Sequence, residues 1–179
     1  MSDPVSAPVS DEESAAPVGS PANARMGHGI KQRDIIKMSD DEVDAFLHER
    51  RPMSLCTINH DGSIHAVAMW YGFLEGAIAF ETKAKSQKVQ NLRRDPRITC
   101  LVEAGINYDE LRGAELVGWA ELIEEPSRLW DLGVSVFDRH VAAYDEAAHR
   151  AEVEVMLRNR VGVKIHVERT VTWDHRKLR

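Results

Sequence analysis

Apolar and polar residues change rhythm several times along this chain, and each change marks an element. Residues 53–59 and 63–71 read as strands. In the second, Ile64, Ala66, Ala68 and Trp70 alternate with His65, Val67, Met69 and Tyr71, a strand-like period. His60-Asp61-Gly62 between them reads as a turn, with glycine free to take positive φ. Glu75-Gly76 turns the chain into a third strand, 77–81. A fourth, 97–103, sets Ile98, Cys100 and Val102 on one face. A fifth, 115–124, carries Gly118, the mark of a bulge or a close approach. The last, 161–167, is expected to turn Val161, Val163, Ile165 and Val167 inward against Lys164 and His166.

Helical spacing fills the intervals. Ser39, with Glu42 three residues on, forms a capping box for a helix over 39–50, and Asp40 and Asp41 suit its positive end. Val43, Phe46 and Leu47 share its apolar face. A short helix over 86–94 stops before Pro96. A third starts at Glu125-Pro126 and runs to about Val141, with Trp130, Val134 and Phe137 on one face. A fourth, 145–159, is apolar at Ala148, Ala151, Val155 and Met156. Residues 1–29 are rich in Ser, Ala, Pro and acids without periodicity. They read as a disordered tail before one domain over 30–179. Strands at hairpin spacing, with helices inserted late, predict a mainly β, antiparallel α+β fold: a small barrel with peripheral helices. The strands do not alternate regularly with helices, which argues against a doubly wound parallel sheet.

Composition narrows the function. At 179 residues and 43% hydrophobic, the chain can bury a proper core, and its formal net charge of −6 argues against general nucleic-acid binding. No apolar run spans a bilayer and no signal-peptide pattern opens the chain, so a cytoplasmic protein without membrane contact is expected. Cys56 and Cys100 sit in apolar strands and read as buried free thiols. The eight histidines are scattered, and no metal site is expected. Dinucleotide, phosphate-loop, zinc-protease and nucleophile-elbow patterns are all missing.

Against the acidic background, residues 79–97, AFETKAKSQKVQNLRRDPR, stand out. They read as strand, cationic turn and helix start. A helix start has unpaired N–H groups and the positive end of the macrodipole, which together suit an anion. Thr82, Lys83, Lys85, Ser86 and Lys88 supply hydroxyls and charges there. The same run also fits a solvated charged turn followed by an amphipathic helix. Nearby, Met69-Trp70-Tyr71 offers an aromatic and sulfur-rich surface for a flat phosphorylated ligand, or plain core packing. Strand neighbours face opposite ways, so at least one of the three belongs in the core.

The runs AVAMWYGFLEGAIAFET and KAKSQKVQNLRRDPR resemble the split-β-barrel flavin and deazaflavin oxidoreductases, the pyridoxamine-phosphate-oxidase-like superfamily. Within it they look most like the actinobacterial branch that uses the deazaflavin coenzyme F420, as do YDELRGAELVGWAELIEEP, GVSVFDRH and TWDHRKL. The likeness covers about 35–179. NLRRDPR is common to flavin and deazaflavin members and does not separate them. The resemblance implies a homodimer with cofactor sites at the subunit interface and hydride transfer to an unsaturated or carbonyl small-molecule substrate. It puts the cofactor phosphate at Thr82, Lys83, Ser86 and Lys88, with Asn91 near, and the ring along Ala68, Met69, Trp70 and Tyr71. Trp173 is a candidate contributed by the second subunit. Lys85, Arg93, Arg94 and Arg97 could serve an acidic cofactor tail, although Arg94 could instead pair with Asp95 or Glu103. Asp109 and Arg112 could border the substrate. His65, Tyr71, Tyr108 and Lys83 are possible proton donors, none of them required. The alternatives are FMN in the same fold, a non-catalytic carrier of a flavin or deazaflavin, and a haem protein ligated through His60, His65 or His140.

Overall fold

The computed structural model describes residues 31–179, and the tail expected over 1–29 lies outside the described residues. Seven strands form one antiparallel sheet: β1 (Met53–Ile58), β2 (Ile64–Met69), β3 (Gly72–Leu74), β4 (Ala77–Lys83), β5 (Arg97–Ala104), β6 (Arg112–Ile123) and β7 (Arg160–Asp174). The helices are α1 (Gln32–Ile36), α2 (Asp40–His48), α3 (Gln87–Arg94), α4 (Pro126–His140) and α5 (Glu146–Met156). The strand order is β2-β1-β5-β6-β7-β4-β3.

This order forces curvature. β2 and β3 are the two edges of the sheet, yet only Trp70 and Tyr71 separate them in sequence. Seven strands spaced about 4.8 Å apart would hold the edges of a flat sheet roughly 29 Å from each other. The three Cα steps from Met69 to Gly72 reach at most about 11 Å. The sheet therefore curls until its edges meet, giving a split barrel whose β2–β3 seam has no ladder.

Alternation fills the two sides. Leu55, Phe80, Ile78, Cys100, Val102, Leu116, Val163 and Ile165 form the main core, joined by Phe46 of α2. Ala79, one position from Phe80, faces the other way and packs with Leu74 and Ile123 against Leu132 and Val136 of α4. The capping box of α2 forms as expected, Ser39 Oγ accepting from Glu42 N and Glu42 accepting from Ser39 N. At its other end, the Leu47, His48 and Glu49 carbonyls accept from the Arg139 guanidinium, which answers the unpaired groups of a helix C-terminus. The ladder shifts register between Val117 and Gly118, where an added Cβ would stand 2.0 Å from the His166 carbonyl oxygen, so Gly118 is a close approach at a bulge.

Four expectations are corrected. The short strand β3 was not foreseen, because three residues beside a turn carry no periodicity. β7 does not stop at 167 but runs through Trp173, and Val167 is exposed beside the bulge rather than inward. The buried face of α4 is Leu132, Gly133, Val136 and Phe137; Trp130 and Val134 are only half-buried. α5 buries Val153, while Ala148, Ala151 and Val155 point outward.

The outer faces of β2, β1 and β5 differ from the side packed by α4. Ile64, Ala66 and Ala68 remain exposed there, with Ala66 paired to Cys56 and Cys56 to Thr99. Leu55, next to Cys56, pairs with Cys100, so the two thiols sit on opposite faces of the sheet and cannot bridge. Burial pushes the Cys100 thiol up to about 12.

Candidate functional site

The stretch 79–97 folds as a strand, a turn and a helix. β4 ends at Lys83, the Ala84 N–H donates to Asn159 O at 2.9 Å, and α3 begins after Ser86. Ser86 stands at the N-cap, but its hydroxyl does not cap the helix. Its Oγ is buried with no hydrogen-bond partner among the described residues. Such an orphan is uncommon inside a folded protein.

Lys88 sits in the first turn of α3 and is 9% exposed. Its Nζ donates to Thr82 Oγ1 at 3.2 Å, one bond for an ammonium with three donors. Burial holds its pKa below the usual lysine value, the Arg160 guanidinium lowers it further, and the Glu81 carboxylate opposes both. Lys83 and Lys85 lie exposed at the rim. An N-cap hydroxyl without a partner, a buried ammonium with donors to spare and a helix start together form a cradle for an anion.

The β4–β7 ladder adds residues that sequence reasoning missed. It pairs Lys83 with Arg160 and Glu81 with Gly162, which brings Arg160 beside Glu81. Arg160 Nη1 donates to Glu81 Oε2. Glu81 is 7% exposed, and burial raises its pKa against the pull of Arg160. The two residues line a cleft of about 380 Å3 with Ala68, Met69, Trp70 and Met156. This cleft runs along the seam, and Glu81 in its wall directly precedes Thr82 in β4. No local pattern announces Arg160 or Met156; only strand pairing brings them in.

Trp70 and Tyr71 divide as strand neighbours do. Trp70 is 54% exposed and stacks on the His140 ring, centroids 5.1 Å apart. His140 Nε2 bonds the Tyr71 carbonyl at 2.9 Å. Tyr71 is fully buried, its hydroxyl donating to Leu47 O at 2.7 Å and its ring lying under Arg139. It serves the core and does not face the cleft.

The fold agrees with comparisons to known proteins. Residues 39–174 match the pyridoxamine 5′-phosphate oxidase family along most of the chain. The chain belongs to that family. A conserved hypothetical protein from Mycobacterium tuberculosis, Rv2991, is 48% identical in its crystal structure, over 83% of this chain and 92% of that one, with a TM-score of 0.79. An F420 reductase is 22% identical over 71% and 94% of the two chains, TM-score 0.54. The haem storage protein HutZ from Vibrio cholerae is 14% identical over 74% and 94%, TM-score 0.58. The last two likenesses show the split-barrel fold alone. No curated relative matches the sequence.

In this member of the pyridoxamine 5′-phosphate oxidase family, several other candidates are committed elsewhere. Asn91 is fully buried; its Nδ2 donates to Thr57 Oγ1 at 3.0 Å and Asn59 Oδ1 at 2.9 Å, and its Oδ1 accepts from Gln87. It ties α3 to β1. Arg93 pairs with Glu124 and Arg97 with Asp95, while Arg94 donates to the Ile58 carbonyl rather than pairing with Asp95 or Glu103. Arg112 forms a two-pronged pair with Glu49, and Asp109 pairs with Arg179. His60 and His65 border a separate recess with Asn59, Asp61 and Gln87. Trp173 packs over Gly113 near the far end of β7 from Arg160, a path of roughly 40 Å along the strand. Within one chain it does not reach the cradle. No helix among the described residues is long and apolar enough to cross a membrane.

Proposed function

We propose that the chain is an oxidoreductase that uses the deazaflavin coenzyme F420 to deliver a hydride to an unsaturated or carbonyl group of a small molecule. The observation that carries this reading is the unmet hydrogen-bonding capacity of Ser86 and Lys88 beside an aromatic cleft. Thr82, Lys83, Ser86 and Lys88 would hold the cofactor phosphate. Ala68, Met69 and Trp70 would lie along the ring, with the His140 stack fixing the Trp70 indole. With Arg93, Arg94 and Arg97 engaged elsewhere, Lys83 and Lys85 are the cations at hand for an acidic tail. The cofactor supplies the hydride chemistry, and the chain's part is to bind, orient and exclude water. Solvent can protonate the product, so no acid–base pair is needed in the cleft.

The same reading includes a homodimer. Ile64, Ala66 and Ala68 form an exposed stripe along the outer face of β2, beside the half-buried Cys56 and Thr99, and a second copy would cover it. Trp173 would then complete the partner's site.

The test is a fluorescence titration of the purified protein with coenzyme F420 and, separately, FMN. Tight binding of the deazaflavin and weak binding of FMN is the expected result. Preference for FMN moves the protein to flavin chemistry. Binding of neither removes the oxidoreductase reading, and a Soret band on adding haem would replace it with haem binding.

A further inference from the structure

We infer that the Glu81–Arg160 pair reads a neutral –CO–NH– edge on a flat apolar ligand in the seam cleft. The inference concerns the cleft alone. It does not need the cofactor reading above and leaves the anion cradle out.

At about 380 Å3 the cleft has room for a compound of a few fused rings. Four of its six lining residues, Ala68, Met69, Trp70 and Met156, are apolar, so the walls suit a flat hydrophobic body. Trp70, stacked on the His140 ring, still stands 54% exposed. The remaining two residues of the lining are Glu81 and Arg160. The β4–β7 register sets them diagonally across one ladder, and Arg160 Nη1 donates to Glu81 Oε2.

Neither partner is used up by this bond. The Arg160 guanidinium makes no other hydrogen bond among the described residues, which leaves most of its N–H donors free. Its side chain is 28% exposed. Glu81 Oε1 accepts nothing among the described residues and is not sealed from solvent. Other cations stand apart from the lining. Lys83, opposite Arg160 in the ladder, is exposed to solvent, where its charge is screened. Lys88 is bonded to Thr82, which alternation sets on the opposite face of β4 from Glu81.

The charges that line the cleft therefore cancel, and this selects the ligand. An anion drawn to Arg160 meets the Glu81 carboxylate, and a cation drawn to Glu81 meets the guanidinium. Such repulsion is weakly screened in a partly buried site. A neutral ligand that sets a carbonyl oxygen beside an N–H satisfies both partners: the oxygen accepts from Arg160, and the N–H donates to Glu81 Oε1. Lactams and cyclic imides carry that edge. The pyrimidinedione of a flavin or deazaflavin ring is one source of it, and a lactam or imide substrate is another.

The test uses two phosphate-free rings at pH 7. Lumiflavin has one imide N–H, and 3-methyl-lumiflavin has a methyl group in place of that hydrogen. Binding to the full chain is read by fluorescence titration. The wild type should bind lumiflavin at least about tenfold more tightly, since a site built to bond an N–H rejects the analogue that lacks it. Glu81→Met with Arg160→Met keeps the lining neutral and its walls filled, and should bring the two rings to parity. Should that variant not fold, Glu81→Gln carries the test. Arg160 then holds the amide oxygen, the amide N–H group faces the ligand's own N–H, and the preference should be lost.

Equal binding of the two rings by the wild type overturns the inference, as does a preference that survives in the variant, or binding of neither ring. Coenzyme F420 added to the lumiflavin complex then separates the two sources. Displacement of lumiflavin assigns the edge to the cofactor's own ring, and a complex that holds both assigns it to a substrate. If F420 does not bind while the lumiflavin preference stands, the cofactor reading falls and the inference holds.

Discussion

Replacing Lys88 by methionine should make the protein more stable and a poorer binder at once. The stem of Lys88 is already buried, and methionine fills a similar volume. What changes is the ammonium, which has left water for a single bond to Thr82 Oγ1. Trading buried charges for apolar side chains is often neutral or stabilises by about 1–4 kcal/mol. Loss of the Thr82 bond removes about 1 kcal/mol of that. The expected net is a gain of up to about 3 kcal/mol, read as a higher midpoint in urea with the slope unchanged. Against this, a hydrogen bond from a charged group to a phosphate contributes about 1.5–3 kcal/mol, so Lys88→Met should weaken cofactor binding roughly 10- to 150-fold. The pH dependence has a definite sign. Burial holds the folded pKa of Lys88 below the ordinary 10.5, so its cost to stability is fully present at pH below that folded value. That cost fades as pH rises through the folded value towards 10.5, and the gap between wild type and variant should close over that alkaline window. A less stable Lys88→Met that binds cofactor as the wild type does would refute both the burial argument and the placement of the phosphate.

Two further outcomes separate scaffold from site. Asn91→Ala should cost about 2–4 kcal/mol in denaturant, since three side-chain bonds are lost and buried partners are stranded. Its cofactor affinity per folded molecule should change less than that of Lys88→Met; the reverse ranking would make Asn91 a ligand contact. Glu75, held down to about 2 chiefly by hydrogen bonds from Arg128 and then Lys164, supports folding above its ordinary pKa of 4.5 and loses that support as pH falls from there towards 2. Melting temperatures of wild type and Glu75→Gln should therefore converge across that acid window, and parallel curves would exclude the network from acid stability.

Local chemistry was legible in the sequence wherever one short stretch decides it. The Ser39–Glu42 capping box, the turn at Gly62 and the strand–turn–helix around Ser86 each depend on neighbours in the chain. Lys88 was found because cations at a helix start are visible in one line of letters. Arg160 and Glu81 were not, because their meeting is set by the register of β4 against β7, and register is absent from either strand read alone. Alternation said that Trp70 and Tyr71 oppose each other, but not which one faces the core. That choice follows from the Leu47 carbonyl and Arg139, which meet Tyr71 only in the fold. The outward face of α5 was misassigned for a related reason: alanines and a valine fit either side of a helix that packs mainly against α4. β7 was cut short because Glu168, Arg169 and Thr170 are polar and exposed on both faces of the strand, which hides its period of two.

The seam between β2 and β3 has a mechanical meaning. Every other strand boundary in the sheet is stitched by ladder bonds, so widening it would tear several at once. At the seam no strand ladder crosses, and Tyr71 ties the connecting segment to the core. Parting the walls of the Met69–Trp70–Arg160 cleft would therefore break no strand-to-strand ladder.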